Sequence, residues 1–128
     1  MVTGATPLAR APAATANIVA RSGGVQWRIV GGSQVQRSST SGEWRTIDFR
    51  PDATLNAGHA PSANVLWLVG QDGTIYLSID GARFTRVSFV DTSDLVSVSA
   101  LSAEQATVGT SDGRSFRTID GGKTWAAQ

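Results

Sequence analysis

The sequence predicts an all-β chain of three four-stranded antiparallel units. Three observations carry that prediction: the residue types, a period of about forty residues, and Asp-Gly turns set between short apolar runs. Lys123 is the sole lysine and Glu43 and Glu104 are the sole glutamates, while Gly reaches 14, so helices have little to be built from. Eleven Lys and Arg against 10 Asp and Glu leave a net charge of +1, and charged residues are 16% of the 128. Such a balance supplies no polyelectrolyte attraction for a nucleic-acid backbone. With Cys 0 there is no disulfide framework and no Cys-ligated metal, and no cofactor is called for. No run of about 18 apolar residues is present, so direct membrane insertion of this segment is not expected.

Residues 1–16 are rich in Ala, Thr and Pro, carry only Arg10 as charge and lack any periodicity. They read as a linker to an upstream domain and not as a secretory signal, since a basic start and a continuous apolar stretch are both missing. Residues 17–128 form the repeat region. Val30-Gly31, Val69-Gly70 and Val108-Gly109 recur 39 residues apart, each closing an apolar run. A tight turn and a second run follow each pair, with Val35, Ile75 and Ser115 as equivalents. An aromatic position then recurs at Trp44, Phe84 and Trp125.

Within the second unit the strands read as Thr54 to His59, Val65 to Val69, Thr74 to Ile79 and Phe84 to Val90. Asp72-Gly73, Asp80-Gly81, Asp112-Gly113 and Asp120-Gly121 sit where hairpin turns need positive φ. A four-stranded meander repeating at this length matches a propeller blade, which buries its faces against its neighbours. The units span about 14–50, 53–90 and 94–128, giving β-propeller-type repeats with three blades per chain.

Thr118-Ile119-Asp120-Gly121-Gly122-Lys123-Thr124-Trp125 resembles the Asp-box of bacterial neuraminidase (BNR) repeats, of form Ser/Thr-x-Asp-x-Gly-x-x-Trp. Ser78-Ile79-Asp80-Gly81-Ala82-Arg83-Phe84 is similar but shorter, and the stretch from Ser38 to Trp44 has Thr40 where the Asp would stand, which implies a looser first turn. With the Val-Gly turns, residues from about Val25 to Gln128 resemble the photosystem II assembly factor-like propeller domain. The resemblance implies a C-terminal module of a bacterial membrane-anchored protein with an anti-sigma-factor-like domain, on the extracytoplasmic side. It also implies structural roles for Ser78, Asp80, Gly81, Phe84, Thr118, Asp120, Gly122, Trp125 and Trp44, with the Asp accepting backbone N–H groups and the ring packing beside the turn.

Enzyme chemistry finds few candidates. A sialidase-like site needs an arginine cluster and a Tyr with a carboxylate beside it. Tyr76 stands alone, with neither Glu43 nor Glu104 near it in sequence, and reads as a half-buried strand residue. His59 has no partner for a triad or metal and reads as a solvated loop residue. The chain is read as a non-enzyme. Arg37 and Arg117 occupy equivalent positions, with Leu77 between them, so they are candidates for binding a carboxylate-bearing partner, against the plainer reading of exposed strand residues balanced by acids. Trp27 and Trp67 fall one position out of register with each other relative to Val30 and Val69. At most one shares their face; Trp67 reads as core, and Trp27 as packed under a loop or exposed for a ligand.

Three blades leave two sheet faces bare and apolar, and the chain is expected to cover them by self-association, as a dimer of six blades or, less commonly, a trimer of nine, with contact with another domain of a longer chain or a compact non-propeller packing as the alternatives. Two functions stay open: a protein-interaction or sensory scaffold with an unknown protein partner, as the resemblance implies, and a lectin-like propeller binding a glycan or small ligand through Trp27, Arg37 or Arg117.

Overall fold

A computed structural model describes residues 16–39 and 42–128, which form three four-stranded antiparallel sheets with the strands of each in chain order. Blade 1 comprises β1 (Ala16–Ser22), β2 (Val25–Val30), β3 (Gln34–Ser38) and β4 (Trp44–Thr46). Blade 2 comprises β5 (Leu55–His59), β6 (Leu66–Gly70), β7 (Ile75–Ser78) and β8 (Thr85–Val87); blade 3 comprises β9 (Leu95–Ala100), β10 (Ala106–Thr110), β11 (Ser115–Thr118) and β12 (Ala126–Ala127). The fold is that of β-propeller blades. The linker reading of residues 1–16 lies outside the described residues except at Ala16, which opens β1 opposite Val30. The reading of a looser turn at Thr40 also lies outside them.

Asp72 and Gly73 show why the turns can be so tight. Both take positive φ, 58° and 70°, the pair of left-handed residues that matches the twist of two antiparallel strands. The outer strand of blade 2 is shorter than its sequence suggests: it ends at Val87, and Phe89 leaves the sheet to pack into the next junction.

Strand registers place the repeat at an offset of 40 and not 39. Leu66 pairs with Ser78 and Ala106 with Thr118, while Gln26 pairs with Ser38. Val30, Gly70 and Thr110 are therefore equivalents, and Gly109 stands where blade 2 has Val69. The recurrent Val-Gly pairs are thus out of step with the structural repeat. The same registers make Trp27 and Trp67 equivalent, each pairing with the residue before the 38 or 78 position, Arg37 or Leu77. Both are fully buried, which corrects the expectation that only one of them could share a face with the core.

Blade 2 has one face toward blade 1 and the other toward blade 3. Trp27, Ile29 and Val35 of blade 1 meet Leu66, Leu68 and Tyr76 of blade 2 in one core. Trp67, Val69 and Ile75 on the opposite face of blade 2 meet Ala106, Val108 and Phe116 of blade 3 in a second. Alternation within β6 explains why all five of its residues are buried: odd and even positions serve different cores. First strands lie side by side, tied by Asn56 Nδ2 donating to the Leu95 carbonyl at 2.8 Å.

The front of blade 3 is polar, which corrects the premise of a bare apolar end there. The back of blade 1 is mixed: Val30 and Trp44 share it with Gln26, Arg28, Gln34 and Gln36, and Gln36 accepts from Arg28 Nε at 2.7 Å and donates to Thr46 Oγ1 at 3.2 Å. The front of blade 3 carries Ser97, Ser99, Thr107, Gly109, Ser115 and Arg117. Thr107, Gly109, Ser115 and Arg117 stand where blade 2 has Trp67, Val69, Ile75 and Leu77, so an apolar face has become a wettable one position by position.

Candidate functional site

The hairpin turns that follow β7 and β11 are built on one aspartate each. Asp80 Oδ1 accepts the backbone N–H groups of Ala82 and Arg83 at 2.9 and 2.8 Å, while Ser78 Oγ accepts from Gly81 N at 2.9 Å. Asp120 accepts from Thr124 twice, through the backbone N–H at 2.9 Å and the hydroxyl at 2.6 Å, and Thr118 Oγ1 accepts from Gly122 N at 2.9 Å. These donors favour the charged carboxylate. The Arg83 and Ala82 amides hold Asp80 below the usual carboxylate range, and the Thr124 hydroxyl and amide lower Asp120 to about 2.

The aromatic residue ending each turn reaches across to the preceding blade. Phe84 stacks on Phe49 with centroids 4.4 Å apart, and Trp125 meets Phe89 edge-on at 5.4 Å. Trp125 Nε1 donates to the Ser88 carbonyl at 2.9 Å. Phe49 and Phe89 come from the inter-blade linkers, at the same offset of 40. Trp44, the blade 1 equivalent, has no such neighbour among the described residues; the Arg28 guanidinium lies 4.1 Å over its ring.

A groove of about 520 Å³ runs along the junction of blades 1 and 2, between β4 and the 78–84 turn. Arg37, Arg45, Glu43, Asp48, Ile47, Gly81 and Ala82 line it. Arg37 is placed there by the register of β3, which sets it between Trp27 and Arg45 on the face toward blade 2. Its guanidinium carbon lies 5.6 Å from the Trp27 ring. Both the Nε of Arg37 and the indole Nε1 of Trp27 are buried without a hydrogen-bond partner. The corresponding indole of blade 2 is satisfied, since Trp67 Nε1 donates to the Ser102 carbonyl at 2.9 Å. An arginine with an unused guanidinium donor is suited to an acceptor oxygen.

The matching groove between blades 2 and 3 is smaller, about 380 Å³, and has Leu77 in place of Arg37. Gly122 closes it further: a Cβ there would lie 2.1 Å from Val87 Cγ1. Arg117 lies apart from both grooves, exposed on the front of blade 3, so the two candidate arginines do not come together. Trp27 is 0% exposed, and its ring lines no groove as an open aromatic platform.

Two single residues stand differently from their sequence readings. His59 is not a solvated loop residue; it ends β5 and its Nδ1 accepts the Ala100 N–H of blade 3 at 2.8 Å. Tyr76 does have a carboxylate beside it. Its hydroxyl donates to Asp52 Oδ1 at 2.9 Å and accepts the Asp52 N–H at 3.2 Å, and Arg86 pairs with Asp52 Oδ2 at 2.6 Å. Asp52 comes from the linker between blades 1 and 2, a partner far in sequence that strand reading could not supply. Tyr76, 7% exposed, spends its hydroxyl on fastening that linker. Among the described residues there is no cluster of His, Asp or Glu able to hold a metal ion.

No family model matches the chain, and no curated protein matches it. Solved structures do. A structure described as YCF48 bound to a D1 peptide superposes with a TM-score of 0.75 at 20% identity, covering 89% of this chain and 39% of that one. YCF48 from Cyanidioschyzon merolae superposes with a TM-score of 0.64 at 23% identity, covering 85% of this chain and 39% of that one. The likeness at these identities is one of fold: this chain is three propeller blades similar to those of YCF48, and it spans 39% of the length of either relative.

Proposed function

We propose that the chain is a non-catalytic protein-interaction scaffold whose blade 1–blade 2 groove takes a carboxylate of an extended peptide, with Arg37 as its anchor. The observation that carries this reading is Arg37, which lines the groove and whose Nε is buried without a hydrogen-bond partner, as is the Nε1 of Trp27 beneath it. A carboxylate held by a guanidinium fork gains charge-assisted hydrogen bonds that a neutral acceptor lacks. The peptide complex described for YCF48 supports a peptide as the class of ligand. In this reading the turns at Asp80 and Asp120 are Asp-boxes with the structural roles that their hydrogen bonds describe. The glycan-binding alternative loses its open aromatic, because Trp27 is buried.

The test is fluorescence anisotropy with labelled peptides ending in a free carboxylate or in an amide. Binding of the free-acid form, weakened about tenfold by amidation and by Arg37→Leu, is expected, since Leu is what the second groove carries. Equal binding of the two peptides, or binding indifferent to Arg37→Leu, would remove Arg37 from the site.

A further inference from the structure

The seam between blades 2 and 3 is closed at one end by two side chains that act as a pair. His59 of β5 and Trp67 of β6 are direct cross-strand partners, so both side chains leave the same face of blade 2, the one toward blade 3. His59 Nδ1 accepts the Ala100 N–H at 2.8 Å, and Trp67 Nε1 donates to the Ser102 carbonyl at 2.9 Å. Together they grip the chain where β9 gives way to the 101–105 turn. That turn is also tied to its own blade, since Gly121 N donates to the Glu104 carbonyl at 3.0 Å. Blade 1 has no such pair: Ala20 stands opposite Trp27 in the place of His59, and the Trp27 indole has no hydrogen-bond partner.

An imidazole that accepts at Nδ1 carries its one proton at Nε2, and on taking a second proton it has two donors and no acceptor. We infer that His59 makes this seam sensitive to pH: a proton taken up at Nδ1 turns the acceptor into a donor facing the Ala100 donor, and the 101–105 turn is released from blade 2 at that point. The ring is half-buried, so it keeps access to solvent protons. His59 is the only histidine of the chain. The elements packed against β5 are β1, β6 and β9; β6 and β9 carry no titratable residue, β1 brings Arg21 and the 101–105 turn brings Glu104. Neither of those two forms an ion pair among the described residues. The bond is complete above the ordinary imidazole value of about 6.5 and is lost as pH falls below it, well above the range in which Asp91 and Asp120 take up protons. The Arg37 groove lies at the other seam, so this inference stands whether or not that groove binds a peptide.

The test is hydrogen exchange of the full chain, read by NMR as protection factors so that the intrinsic pH dependence of exchange is removed. Protection of the Ala100 amide is expected to fall about tenfold between about pH 8 and about pH 5, in step with protonation of the ring followed through its carbon-bound protons. Amides of β2 and β3 in blade 1 are expected to hold theirs. His59→Asn, whose Oδ1 replaces Nδ1 by an acceptor that does not titrate, is expected to keep the protection and lose its pH dependence. Unchanged Ala100 protection across the range, whether or not the ring takes up a proton, overturns the proposal, as does a fall that persists in His59→Asn. An equal fall in β2 and β3 overturns it too, since the loss would then belong to the whole fold. The unaltered chain decides the matter even where the variant fails to fold.

Discussion

Asp91 and Asp120 both hold their carboxyls at about 2, Asp91 chiefly through the Arg114 guanidinium and Asp120 through Thr124. In the unfolded chain both return to the ordinary value of about 4. The native state therefore binds fewer protons between those values, so the stabilisation is complete above about pH 4 and is lost as pH falls toward 2. Thermal melts from pH 6 to 2 are expected to show this fall, flattened in the Asp91→Asn/Asp120→Asn pair; parallel curves would assign the acid sensitivity elsewhere. Trp125 is the second residue whose role is sharply testable. It packs on Trp67 and Phe89 and donates to Ser88, so Trp125→Ala is expected to cost about 3 kcal/mol in urea unfolding. Trp125→Phe keeps the packing and loses one hydrogen bond, at about 1 kcal/mol.

Among elements, the two hairpin turns differ in what surrounds them. Gly122 has φ +90° and a Cβ there would collide with Val87, whereas Gly81 has φ +77° and room, its nearest neighbour being Arg37 Nε at 3.5 Å. Gly122→Ala is expected to destabilise by about 2 kcal/mol or more and Gly81→Ala by about 1 kcal/mol, with Val87→Ala recovering part of the former. Equal costs would mean that backbone conformation alone decides both. The turns themselves were legible, because Asp-Gly between apolar runs is a local signal, and so were the strands and the equivalence of Arg37, Leu77 and Arg117. Which sheet each face meets was not. Val108-Gly109 imitates Val69-Gly70 while lying one residue out of structural register, and only the cross-strand pairing of Thr118 with Ala106 reveals it. The roles of Phe49, Asp52, His59 and Phe89 were not legible for a related reason: each acts on a neighbouring blade, through contacts that no spacing within its own unit encodes. The Arg37 groove was half legible, as a charged residue at a repeat position, but its unused donors depend on what blade 2 sets opposite.

At the scale of the molecule, the polar front of blade 3 weakens the drive to close a ring with further copies through that face. Light scattering on the full chain is expected to return the mass of one copy, and Thr107→Val/Ser115→Ile/Arg117→Leu, which restores aliphatic side chains at three positions where blade 2 is apolar, is expected to self-associate. A stable dimer of the unaltered chain would show that its outer faces pair after all. Blade 2 has a different standing from its neighbours. Leu66 and Leu68 depend on blade 1, and Trp67 and Val69 on blade 3, within a single five-residue strand. Removing either outer blade strips one side of that strand, so the middle of the chain has no partly assembled form that keeps its apolar surface out of water. Repeat arrays often melt from their ends inward. Here that route is unfavourable from both ends, and the three blades are expected to unfold in one step, with the amides of β6 exchanging only through the complete loss of structure.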